Sequence, residues 1–329
     1  MSRHWPLIKL VPIKTNFEFV RFAKFAAALS MIAVAGSIFM TLYPLKPPCG
    51  GLNCGVDFKG GNLLEISMGS QPIDLAKVRG ALGGLGLGDV QVQGFGGGGG
   101  ANAKEGAQVR FETPAGGNAA ATVTQVQNVL TKSLGPQVQF TRTEVVGAKV
   151  SGELLFGGAM ALGIAILLMM IYIWFRFEWQ FALGAVAGLM HDTILVFGLF
   201  AVTDMEFSLT AVAAILTVIG YSMNDTVVVF DRLRENLRKY KKMPLRDVIN
   251  LSINETLSRT IITGVTAIFA LSVLALLGGE SLFPFSVSLI FGIVFGTYSS
   301  IYVGAPIILL WGVKRGEEEA KPLKPAPAR

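Results

Sequence analysis

Two carboxylates and one guanidinium stand inside stretches of sequence that are otherwise apolar. Asp225 follows Asn224 late in a run that begins near Phe207, and Asp192 follows His191 inside the run from 180 to 202. An ionised Asp at the centre of a membrane helix costs roughly 2.5–3.5 kcal/mol on insertion scales, so such a residue marks a functional site whose partner must be found. Arg259 opens the next run, Arg-Thr-Ile-Ile-Thr-Gly-Val. A helical hairpin would bring it to about the depth of Asp225. Burial and a neighbouring cation act in opposite senses on a carboxylate, and a residue balanced between them can take up and release a proton. That is proton-coupling chemistry, with no covalent step. Asn224 belongs to the same cluster, and His191 with Asp192 could form a second relay. Successive helix residues point about 100 degrees apart and need not touch, and a structural hydrogen bond is the alternative role for either residue.

Polar residues recur along the same runs. Thr210, Thr217 and Asn224 lie seven apart, with Tyr221 and Asp225 one turn apart beside them. On the following run Arg259, Thr263 and Thr266 share a face. The two faces are expected to bury against each other, the threonines serving as interhelical hydrogen-bond glue at about 0.6 kcal/mol apiece. Gly184, Gly188 and Asp192 lie four apart, which puts the carboxylate on a small-residue face where another helix can come close. Gly292, Gly296 and Ser300 repeat that spacing for packing. Asp231, Arg232, Arg234 and Glu235 read as a solvated helix end, with docking of a partner as the sharper alternative.

The elements that position these residues are set by composition. The chain has 329 residues, 52% hydrophobic and 15% charged, with a mean hydropathy of +0.55. Soluble chains carry about a quarter charged residues, so this is an integral membrane protein. Its net charge of +6 does not require nucleic acid, because the basic residues gather in particular inter-helix segments. No metal is expected, since the two cysteines have no His cluster beside them.

Six apolar runs, 22–43, 154–174, 180–202, 207–230, 259–277 and 284–312, are each long enough to span a bilayer at about 20 residues. The first is too long for the apolar core of a signal peptide, about 7–15 residues, and reads as an uncleaved anchor. Arg3, Lys9, Lys14 and Arg21 precede it. Arg176 lies in the second turn, and Arg232, Arg234, Arg238, Lys239, Lys241, Lys242 and Arg246 in the basic loop 231–258. Lys314 and Arg315 lie in the tail 313–329, whereas the remaining short turns carry only Asp204, Glu206 and Glu280. The positive-inside rule therefore puts residues 1–21 and both termini in the cytoplasm and the polar segment 44–150 outside.

That segment alternates strand and helix: strands at 62–67, 90–95, 108–112 and 138–145, helices at 72–82 and 119–134. The β-α-β-β-α-β order predicts a ferredoxin-like α+β domain inserted between the first and second helices of an all-α six-helix bundle. Gly96 to Gly100 is a loop, and without a P-loop Lys-Ser/Thr it is no phosphate cradle. Cys49 and Cys54, just outside the membrane in an oxidising compartment, are expected to close a small disulfide loop.

Three blocks together carry a family resemblance. They are Asp57-Phe58-Lys59-Gly60-Gly61, the stretch Gly220-Tyr221-Ser222-Met223-Asn224-Asp225-Thr226 continuing to Arg232, and Ser258-Arg259-Thr260-Ile261-Ile262-Thr263. Nearly the whole chain resembles the smaller subunits of the SecD/SecF family, within the resistance-nodulation-division superfamily. It departs from the family pattern at Gly264, in the Gly96–Gly100 run and in the cysteine pair. The resemblance implies a multi-pass subunit of the bacterial inner membrane, without cofactor or enzymatic activity. Its implied partners are SecD, the SecYEG channel and YajC, its substrate an unfolded polypeptide, and its energy source the proton motive force. Residues matching Asp225 and Arg259 are implicated in proton conduction in that family. Two alternatives stand beside this reading: a small-molecule proton antiporter subunit of the same superfamily, and a passive assembly subunit.

Overall fold

The computed structural model describes residues 15–45, 49–69, 71–87, 90–95, 106–114, 117–279 and 282–313. The Gly96–Gly100 run, Arg3, Lys9, Lys14, Glu280 and residues 314–329 lie outside the described residues.

Among the described residues, six helices are long and apolar enough to cross a membrane. They are α1 (Phe19–Leu42), α5 (Ala148–Arg176), α6 (Trp179–Thr203), α7 (Leu209–Lys239), α8 (Leu245–Leu277) and a last span made of α9 (Phe283–Ser299), a π-helical turn (Ser300–Gly304) and α10 (Ala305–Trp311). Apolar all round, a helix in such a bundle is placed by side-chain size more than by a polar face. Glycine and serine therefore mark the centre. α6 and α7 are the inner pair, with 56% of their most apolar window buried, while α5 has none and lies at the periphery. α9 fits between them because a Cβ at Gly296 would lie 3.1 Å from Ser222 of α7, and one at Gly184 of α6 would lie 2.6 Å from the Gly304 carbonyl. The start of α1 is fastened to α8, where Asn254 receives the Phe17 N–H and donates to the Phe17 carbonyl, both at 2.9 Å.

The polar stretch after Phe230 is helical over most of its length, with the reversal confined to Tyr240–Pro244. Arg232 bonds Glu235 one turn on and Glu255 across on α8, and Asn236 donates to Ser252. These cross-links carry α7 and α8 beyond their apolar parts as a paired extension.

The α+β domain lies between α1 and α5: a one-turn helix α2 (Val56–Lys59), then β1 (Gly61–Ser67), α3 (Leu75–Leu82), β2 (Gln91–Phe95), β3 (Gly106–Phe111), α4 (Ala119–Leu134) and β4 (Gln139–Val146). Asp74 and Asn118 cap α3 and α4 by accepting from two backbone N–H groups each. Val78, Leu82, Val123, Val126 and Leu130 then cover one face of the sheet. The sheet is wholly antiparallel in the order β2-β3-β1-β4, the ferredoxin-like arrangement that the strand pattern predicts. β1 is central and buried from Asn62 to Ser67. Arg142 of β4 stands directly opposite Glu65 in the register and reaches its carboxylate at 3.2 Å, just before a register shift between Glu65 and Ile66.

Candidate functional site

On α7 the residues facing the bundle are Ile215, Val218, Ile219, Ser222, Met223, Asp225 and Thr226. Asp225 is thus carried inward by helical spacing alone. It is 2% exposed, and its Oδ2 accepts a hydrogen bond from Thr297 Oγ1 of α9 at 3.2 Å. The hairpin does not close an ion pair, because Thr260, Leu257 and Gly264 take the buried side of α8 and leave Arg259 exposed. A long guanidinium side chain is held outside at lower cost than it is desolvated.

The two polar faces expected to bury against each other remain exposed: Thr210, Thr217 and Asn224 on α7, and Arg259, Thr263 and Thr266 on α8. Thr217 and Thr266 need no partner helix because each donates to a carbonyl of its own helix, Ala213 and Ile262 respectively. Asn224 is exposed, whereas its neighbour Asp225 is buried.

Asp192 is 1% exposed, the centre of a second cluster. Its Oδ2 accepts from Ser222 of α7 and from Ser299 of α9 at 2.7 Å, and its Oδ1 lies 2.9 Å from His191 Nδ1. His191 and Asp192 are therefore in hydrogen-bond contact although they are successive on the helix. The His191 ring stacks on Tyr298 with centroids 6.0 Å apart, and its Nε2 is buried without a hydrogen-bond partner among the described residues. Tyr298 in turn donates to the Ala26 carbonyl on α1 at 2.9 Å. The two carboxylates therefore share a scaffold: Ser222 and Asp225 lie one turn apart on α7, and Thr297 and Ser299 end α9 just before the π-helical turn. Tyr221 completes the neighbourhood, its buried hydroxyl beside Gly264 and without a hydrogen-bond partner among the described residues.

The block Asp57 to Gly61 lies far from both carboxylates, at the end of the bundle that carries the α+β domain. Asp57 Oδ2 accepts from the Leu209 N–H at 2.9 Å, and the buried Phe58 ring packs 5.6 Å from Phe207. Gly60 and Gly61 adopt φ of 75° and 103°, which no other residue takes without strain. Cys49 and Cys54 are joined by a disulfide, with Cα atoms 6.3 Å apart. No group of three or more His, Cys, Asp or Glu suited to a metal is found among the described residues.

Sequence reasoning missed Thr297, Ser299 and Ser222 as the partners of the carboxylates, and Tyr298 as the ring beside His191. Serine and threonine in a helix ordinarily bond their own backbone, so nothing local sets these apart. The small-residue spacing Gly292, Gly296, Ser300 pointed to the right face of α9.

Six long apolar helices, a ferredoxin-like domain inserted after the first, and ionisable side chains buried between those helices define the class: a multi-pass helical membrane protein with one inserted α+β domain. Residues 125–314 match the family described as "Protein export membrane protein SecD/SecF, C-terminal". The chain is 46% identical over 325 residues to the protein translocase subunit SecF of Rhodobacter capsulatus, covering 96% of this chain and 95% of that one. It is 41% identical to the SecF of Rickettsia conorii, with 92% and 94% covered. The crystal structure of SecDF, a translocon-associated membrane protein from Thermus thermophilus, superposes with a TM-score of 0.79 at 27% identity; the match covers 92% of this chain but 39% of that longer one. The chain belongs to the SecD/SecF family, as a SecF-type protein translocase subunit.

Proposed function

We propose that this subunit, paired with SecD, couples the proton motive force to late steps of polypeptide export through the SecYEG channel, with YajC as an accessory partner. It is a transport subunit and not an enzyme. Both termini and the extension after Phe230 lie in the cytoplasm, and the α+β domain lies outside, where it meets emerging substrate.

One observation carries the reading. Asp225 is buried at membrane depth, while the polar faces beside it, with Asn224 and Arg259, stay exposed in the lone bundle. Lipid is a poor solvent for such a surface. A second set of six helices covering it completes a two-half transporter with the site at the interface. Protonation of Asp225 turns an acceptor-only carboxylate into a donor, which changes what Thr297 and the Arg259 field can hold. Protonation of Asp192 would do the same to Ser222 and Ser299. Both changes fall on α7 and on the last turn of α9, against the π-helical turn where backbone bonding can shift. A proton crossing 100 mV supplies about 2.3 kcal/mol, enough to bias a two-state rearrangement by more than tenfold.

The test uses vesicles containing the channel, SecD and this subunit. Asp225→Asn keeps the size and cannot titrate, so it is expected to abolish the gradient-dependent part of export while leaving insertion and SecD binding intact. Arg259→Lys should retain partial activity, since the charge stays and the planar fork is lost. Export by Asp225→Asn at the unmodified rate under a full gradient would make the cluster structural only.

A further inference from the structure

We infer that residues 53–61, together with Arg110 and Glu206, form a stiff joint through which α7, the helix carrying Asp225, moves the α+β domain. This rests on the proton-coupled reading above and names where its mechanical output leaves the membrane.

α7 begins without a cap of its own. The hydroxyl of its N-cap residue Ser208 bonds Thr210 Oγ1 at 2.7 Å, and the first free backbone donor, Leu209 N–H, goes instead to Asp57. A carboxylate at a helix N-terminus also meets the positive end of the helix dipole. The turn before α7 is held on a second side by backbone pairing: Phe207 N–H donates to the Asn53 carbonyl at 2.8 Å, and Gly55 N–H to the Phe207 carbonyl at 2.9 Å. Asn53 Nδ2 adds a bond to the Asp204 carbonyl at 3.0 Å. Apolar packing supplies a third side, with Phe207 lying against Phe58, Phe197 and Phe200.

The same segment grips the sheet. Arg110 of β3 places Nη2 2.9 Å from Glu206 Oε2, with the two side chains only 11% and 19% exposed, and its Nη1 donates to Asn53 Oδ1 and to the Cys54 carbonyl. Gln108, two residues earlier on β3, donates to the same Glu206 oxygen at 3.3 Å. A Cβ at Gly55 would meet the Glu206 carboxylate and displace it from this position. From Asp57 the chain reaches β1, the central strand, in four residues, and Gly60 and Gly61 turn it with no slack. Any displacement of the first turn of α7 is therefore delivered to two neighbouring strands at once, β1 through the Asp57 to Gly61 segment and β3 through Glu206 and Arg110. Asp57, Arg110 and Glu206 act as positioning residues, remote from the proton site.

The experiment uses the full chain with SecD and the channel in vesicles, reading proton uptake and gradient-dependent export separately. Arg110→Glu and Glu206→Arg are each expected to cut gradient-dependent export by about tenfold, within the usual range of coupling between distant sites, while proton uptake through the Asp225 site persists. The double exchange restores the ion pair in reverse and should recover most of the export. Asp57→Asn keeps an acceptor for Leu209 and should export nearly normally, whereas Asp57→Leu should not. Insertion of two glycines between Gly60 and Gly61 removes no side chain and only adds slack. It should uncouple export from proton uptake even if the charge reversals fail to assemble. Normal gradient-driven export by the glycine insertion, or by both charge reversals, overturns the joint. Loss of proton uptake and export together in the insertion also overturns it, because that assigns these residues to folding alone. Normal export by Asp225→Asn in the same vesicles would instead sink the proton-coupled reading, so the two failures are distinguishable.

Discussion

Gly292 of α9 offers the sharpest probe of whether the two carboxylates share one packed scaffold. A Cβ built there would lie 3.0 Å from the Val218 Cβ and closer still to both of its methyl groups. Valine is β-branched and stiff, and on a helix it has essentially one rotamer, so Val218 cannot swing aside. Gly292→Ala must then push α9 off α7. Overpacking of this kind costs about 1–3 kcal/mol, partly offset by the roughly 0.5–1 kcal/mol that alanine gains over glycine inside a helix. The net expectation is a loss of about 0.5–2 kcal/mol. Val218→Ala removes both methyl groups and should restore the stability of the double variant beyond the sum of the single changes. Gly220, on the exposed face of α7, is the control. Nothing lies within 4 Å of its Cβ position, so Gly220→Ala should leave the purified subunit as stable as before or slightly more so, and harm export only if that face meets SecD. Thermal unfolding of the four variants in detergent, followed by assembly with SecD, separates these effects. An unchanged midpoint for Gly292→Ala would refute the close α7–α9 contact and, with it, the shared scaffold for Asp192 and Asp225.

Three further outcomes are expected. Arg142→Met strands the Glu65 carboxylate, 7% exposed on the central strand; because Arg142 itself is partly solvated, the loss should be about 1–2 kcal/mol, measured as faster proteolysis of the α+β domain in the full chain. Gly61→Ala must hold φ near 103° with its Cβ 3.1 Å from the Phe111 carbonyl, and should destabilise by about 1–3 kcal/mol, against almost no effect for the open position Gly80 in α3 by the same assay. Replacing Cys49 and Cys54 together by serine opens a loop of very few residues, so chain entropy changes little; near-normal export is expected, and a severe defect would give the bridge a functional role.

What the sequence by itself determined follows from local physics. Bilayer thickness fixes the length of an apolar span, so six runs of adequate length already meant six long apolar helices. The β-α-β-β-α-β order followed from side-chain periods of 2 and 3.6. Asp192 and Asp225 stood out because a carboxylate without a partner is costly in hydrocarbon. Partners were another matter, since they depend on helices that approach each other over long sequence separations. Arg259 was expected against Asp225, yet α8 buries Thr260 and Gly264 and leaves the guanidinium outside, so the hydroxyl of Thr297, 72 residues from Asp225, makes the contact. Ser222 and Ser299 meet at Asp192 because α6, α7 and α9 pack together, with Gly296 close against Ser222. Asp57 was legible as part of a recurring block but not as a cap, because the helix it caps begins 152 residues later. A sequence shows which groups cannot be left alone, whereas only the packed helices decide which groups answer them.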